Sequence, residues 1–83
     1  MKPSNLRPII LRLEAMIEDT TDDVQVRRFE TDGQLRATVE YFKDRDLFII
    51  KDPSIEEEME FDNIDFVAME ILELIQPVLP EEN

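Results

Sequence analysis

Val24-Gln25-Val26-Arg27-Arg28-Phe29-Glu30-Thr31-Asp32-Gly33-Gln34-Leu35-Arg36-Ala37-Thr38-Val39-Glu40-Tyr41-Phe42 is the stretch that organises this chain. Asp32-Gly33 is a type I′ turn signal, because Gly and Asp accept the positive φ that such a turn needs. A two-residue loop pairs Thr31 with Gln34, and the register follows by counting outward. Glu30 then faces Leu35, Arg28 faces Ala37, Val26 faces Val39 and Val24 faces Tyr41. This set holds most of the apolar residues and is assigned to the inner face. The outer face holds Phe29 opposite Arg36, Arg27 opposite Thr38, Gln25 opposite Glu40, with Phe42 beyond.

Downstream, Lys43-Asp44-Arg45-Asp46 makes the next turn and Leu47-Phe48-Ile49-Ile50-Lys51 a third strand. A two-residue Asp44-Arg45 loop would add Leu47 and Ile49 to the outer face. Asp52-Pro53-Ser54 is a turn, since Pro fixes φ and Asp and Ser favour such bends. Ile55, Met59 and Phe61 then alternate with Glu58 and Glu60, which predicts a fourth strand suited by its charge to a sheet edge. Asp62 caps a second helix, with Asp65 at a capping-box position, and Ile64, Val67, Ala68, Ile71, Leu74 and Ile75 form its inner stripe. Pro77 ends it. Upstream, Leu6, Ile9, Ile10, Leu13, Met16 and Ile17 recur at helical spacing, predicting a helix over about 5–19 with Ser4 or Asn5 as its cap and Leu11 opposite the stripe. The expected fold is α+β, in the order α-β-β-β-β-α: an antiparallel meander with two helices packed on one face. It forms a single domain over 1–83, with loosely ordered tails at 1–4 and 77–83.

Composition narrows the chemistry. The 83 residues contain no cysteine and no histidine, which removes zinc sites built from Cys and His, thiol nucleophiles, disulfides and imidazole general bases. A single glycine leaves no room for a P-loop or a dinucleotide fingerprint. No signal peptide is visible, and the apolar stretches fall far short of the roughly 20 residues a membrane span needs. The expected location is therefore cytoplasmic, with no membrane contact. The net charge of −12 is unevenly placed: all nine Lys and Arg lie in residues 1–51, against ten acids, and residues 52–83 hold eleven acids and no base. A phosphate backbone would be repelled there, which disfavours nucleic acid.

Four constellations of residues bear on function. Glu56, Glu57, Glu58, Glu60 and Asp62 offer oxygens for Ca²⁺ or Mg²⁺. Their spacing is not that of an EF-hand loop, however, and alternate strand residues diverge, so a solvated edge is the expectation and no metal or other cofactor is assigned. Tyr41, Ser4, Ser54, Lys2, Lys43, Lys51 and the acids are the possible catalytic parts. No spacing pairs them into a nucleophile and base, so no catalytic residue is assigned and the chain reads as non-enzymatic.

The third constellation is the outer sheet face: Arg27, Phe29, Arg36, Thr38, Phe42, Leu47 and Ile49. Aromatics and arginines on an open sheet stack single-stranded bases in some modules. The plainer readings are a Phe29–Arg36 cation–π pair under a loop, or a self-association face, since so many apolar side chains are costly to leave wet. The fourth is the outside of the second helix, where Phe66, Met69 and Leu72 lie off the stripe and suit an adaptable partner surface. A weaker option is an acidic mimic of nucleic acid, acting through 52–83 on a basic protein.

Arg12-Leu13-Glu14-Ala15-Met16, Phe29-Glu30 before the hairpin turn, Tyr41-Phe42 after it, and Phe61-Asp62-Asn63-Ile64-Asp65 running into Glu70-Ile71-Leu72-Glu73-Leu74-Ile75 resemble the YkuJ-like family of small uncharacterised bacterial proteins. The resemblance covers roughly residues 5–76. It implies an antiparallel sheet flanked by helices and carries no activity and no functional residues. The combined expectation is a small acidic interaction module, a homodimer or the partner of an unidentified protein. Its contact residues are Arg27, Phe29, Arg36, Phe42, Leu47 and Ile49 on the sheet, with Phe66 and Met69 on the helix. A ligand or single-strand binder on the sheet face is the alternative.

Overall fold

A computed structural model describes residues 6–75. The elements are α1 (Leu6–Glu18), β1 (Val24–Thr31), β2 (Gln34–Phe42), β3 (Leu47–Asp52), β4 (Glu57–Phe61) and α2 (Ile64–Ile75). The expected order of elements is therefore the observed one. The strands form one antiparallel meander in the order β1-β2-β3-β4. Both helices lie against the same face of it. The expected cap at Ser4 or Asn5 and the expected loose tails lie outside the described residues.

The helical stripes are where periodicity places them. On α1, Ile9, Leu13 and Met16 are buried, with Leu6, Ile10 and Ile17 packed at their flanks, while Leu11 is exposed. On α2, Val67, Ala68 and Ile71 are buried, with Ile64, Leu74 and Ile75 beside them. Leu72, expected off the stripe, also packs against the core. The cap of α2 is Asn63 rather than Asp62: Asn63 Oδ1 accepts the Asp65 N–H at 2.8 Å, and the Val67 N–H donates to the Asn63 carbonyl. The helix starts one residue later than expected, so the capping box centred on Asp62 does not form.

The hairpin turn is as predicted, with φ of 53° at Asp32 and 77° at Gly33. Thr31 pairs with Gln34 and Glu30 with Leu35, as counted. The register then slips between Phe29 and Glu30, so that Phe29 pairs with Ala37 and Val24 with Phe42. Arg36 is the extra residue of a β-bulge in β2. The faces of β2 are unaffected, with Ala37, Val39 and Tyr41 inward. Those of β1 are inverted, because the side-chain period is two and a one-residue shift turns the strand over.

A regular hairpin would have set the Arg28 charge beside Ala37 beneath the helices and left Phe29 in water. Desolvating an unpaired charge costs several kcal/mol, and burying a Phe side chain contributes about 1.5–3 kcal/mol. The bulge avoids the first and gains the second. Phe29 is 3% exposed and covered by the Arg12 guanidinium, 4.0 Å from the ring centre.

The third strand agrees with the two-residue count: Phe42 pairs with Leu47 and Tyr41 with Phe48. Phe48 and Ile50 are buried, and the Phe48 ring packs against Tyr41 at 4.7 Å. The fourth strand forms as predicted, although Ile55 stays in the preceding turn and is exposed. Lys43 ties the layers together. Its Nζ donates to the carbonyls of Ile17 and Asp19 at 3.1 and 2.7 Å, closing the C-terminal end of α1 with a cation.

Candidate functional site

With both helices on one side, the other side of the sheet meets no element among the described residues. Three rows of side chains cross it: Val24–Phe42–Leu47, then Val26–Glu40–Ile49–Glu60, then Arg28–Thr38–Lys51–Glu58. Phe42, Leu47 and Ile49 are half-buried by their neighbours, while Val24 and Val26 are 40% and 45% exposed. Arg45 sits over the Phe42 ring at 5.5 Å. One end of the face is thus apolar and the other charged. At the charged end Lys51 Nζ lies 3.4 Å from Glu40 and 3.7 Å from Glu58. Arg28 and Glu60 form no ion pair among the described residues.

The residues expected to form one contact surface are divided by the fold. Phe42, Leu47 and Ile49 are together on the outer face. Phe29 is not there: the bulge turns it into the core, and its cation–π partner is Arg12 instead of Arg36. Arg27 is also turned to the helix side. There it lies half-buried, donates to the Gln25 side chain and to the Val26 carbonyl, and reaches Asp19 Oδ2 at 3.8 Å. Arg36 occupies the bulge, with its Nε buried and unpartnered among the described residues. Phe66 and Met69 are 58% and 55% exposed on α2, on the opposite side of the molecule from the outer sheet face.

Val24 and Val26 belong to the outer face, whereas counting from the turn places them inward. A signal against that assignment was present in the sequence: the same count placed Arg28 inward with no carboxylate opposite it.

The groups with chemical potential each have a local structural partner. Tyr41 donates from its hydroxyl to Asp46 Oδ1 at 2.7 Å; burial, then this carboxylate, push its pKa up to about 12. Asp19 accepts from both the N–H and the hydroxyl of Thr21, which with Arg27 and Lys43 nearby hold its carboxyl below the usual range. Ser54 donates from its N–H and hydroxyl to Asp52 in the turn before β4. Among the described residues no three Asp or Glu side chains converge on a point that would hold a metal ion, and no helix is long and apolar enough to cross a membrane.

Comparison with known proteins gives one consistent result. Residues 9–75 match the family described as "Protein of unknown function (DUF1797)". The chain is 33% identical over 78 residues to the uncharacterised protein YkuJ of Bacillus subtilis strain 168, covering 88% of this chain and 99% of that protein. The X-ray structure of YkuJ from Bacillus subtilis has the same architecture, with a TM-score of 0.81 over 89% of this chain and 100% of that one.

Proposed function

We propose, on the premise that this chain belongs to the DUF1797 family of unknown function, that it is a small acidic interaction module without enzymatic activity. Its contact surface is the outer sheet face, and its simplest occupant is a second copy of the chain. The observation that carries this is the apolar end of that face, where Val24, Phe42 and Leu47 lie in one row flanked by Val26 and Ile49, with Glu40 between these two and no described element over them. Adjacent large apolar side chains of this kind mark interaction sites more often than neutral surface. The absence of enzymatic activity is supported by the local partners of Tyr41, Lys43, Lys51 and Ser54, each of which already has a structural task. Stacking of single-stranded bases loses support, since Phe29, one of the two aromatics expected on this face, is in the core.

Phe42→Glu combined with Ile49→Glu tests the reading. Wild-type chain at high concentration is expected to sediment as a dimer, and the variant as a folded monomer with unchanged helix content. A wild-type monomer would reject self-association.

A further inference from the structure

The outer face is polarised across the strands as well as along them. Arg28 stands on β1 at one side without an ion-pair partner among the described residues, and Glu58 and Glu60 stand on β4 at the other side. Both edges of the sheet are guarded. On β1, the Val26 carbonyl accepts from Arg27 Nη1 at 2.8 Å and the Arg28 carbonyl from Arg12 Nη2 at 3.1 Å. On β4, three of five residues are glutamates. Blocked or charged edges resist strand addition, so two copies meet more readily through a face of the sheet than edge to edge.

Two directions for a two-fold axis follow the sheet itself, across the strands and along them. An axis across the strands through the central row lays Glu40 on Glu40 of the partner subunit and Glu60 on Glu60 of the partner subunit, like charge on like. An axis parallel to the strands instead lays β1 of one copy over β4 of the other, so that Glu40 faces Ile49 of the partner subunit and Glu60 faces Val26 of the partner subunit rather than a like charge. We infer that two copies pair outer face to outer face about a two-fold axis parallel to the strands, Arg28 of each copy meeting Glu58 of the partner subunit and Phe42 meeting Leu47 of the partner subunit. This rests on the reading of the outer face as a self-association surface and adds its geometry.

The interface is isologous, so every contact occurs twice. Arg28 gains a counter-charge, and Glu58 gains a second cation besides Lys51. With strands about 4.8 Å apart and about 3.3 Å per residue, the four strands and their five paired positions span roughly 14 by 17 Å. That footprint is below the about 800 Å² per partner of a standard interface, so the pairing is expected to be weak and to be seen only at high concentration.

The test is a charge swap followed by sedimentation velocity. Arg28→Glu alone and Glu58→Arg alone each place two like charges in contact and are expected to weaken dimerisation on the order of tenfold. An equimolar mixture of the two variants restores both pairs, as does the double variant Arg28→Glu/Glu58→Arg, and both are expected to return to wild-type affinity. Circular dichroism confirms the fold of each. If the wild type dimerises and Phe42→Glu abolishes it, while the charge variants are neutral or the mixture fails to recover, the axis is wrong and the face reading stands. If the wild type remains monomeric, or if it dimerises and Phe42→Glu leaves that unaffected, both are overturned.

Discussion

Phe29 and Phe42 are alike in the sequence and opposite in fate. Phe29 is in the core beneath Arg12, and Phe42 stands on the outer face. Truncating a buried Phe to Ala costs about 3–5 kcal/mol, which is a large share of the roughly 5–15 kcal/mol that holds a domain together. Phe29→Ala is therefore expected to remove a large share of the chain's stability, while Phe42→Ala should cost about 1 kcal/mol or less in the monomer. Urea denaturation compares the two, and equal losses would place both in the core.

Tyr41 makes a second prediction at the same scale. Its folded pKa, about 12, is above the unfolded value near 10. The stability it contributes is thus fully present below pH 10 and is lost as pH rises through 12. Tyr41→Phe removes the bond to Asp46, at a cost of about 1 kcal/mol at neutral pH. The gap in melting temperature between wild type and variant should close between pH 10 and 12. A constant gap would mean that the hydroxyl does not titrate with folding.

At the scale of elements, the bulge in β2 decides which side of β1 is buried. Arg36 contributes its backbone to that decision, because it is the added residue that shifts the count. Neither replacing its side chain nor removing the residue should turn β1 over, since the pairs on either side of the bulge are kept. Arg36→Ala keeps the bulge and is expected to change stability by about 1 kcal/mol or less. Deleting Arg36 joins Leu35 to Ala37, so an unbroken ladder still pairs Glu30 with Leu35 and Phe29 with Ala37, and the variant should stay folded by thermal melt. An unfolded deletion variant would show that the bulge itself, and not only the pairing beyond it, is required.

At the scale of the whole molecule, the net charge of −12 works against a compact state of only 83 residues. The described ion pairs are few and mostly exposed, and such pairs contribute little. Self-repulsion should therefore outweigh them, and added salt should raise the melting temperature by screening it. A melting temperature that falls with salt would mean that favourable pairs dominate.

The sequence by itself determined the order of elements, the helical stripes, the type I′ turn and the two faces of β2 and β3. These are local properties: a 3.6-residue or 2-residue period and a turn with positive φ are written in neighbouring residues. It also determined three of the outer-face residues, Phe42, Leu47 and Ile49, since nothing irregular lies between them and their turn. Tertiary structure decided the orientation of β1. Counting outward from Asp32-Gly33 assumes an unbroken ladder, and the alternatives (Val24, Val26 and Arg28 inside, or Gln25, Arg27 and Phe29 inside) are each partly apolar. What separates them is the helical layer: Arg12 on α1 covers Phe29, Asp19 receives Arg27, and the space beneath the helices accepts an aromatic ring where it would have to desolvate Arg28. Those partners are distant in the chain, so the choice exists only once the layers have packed.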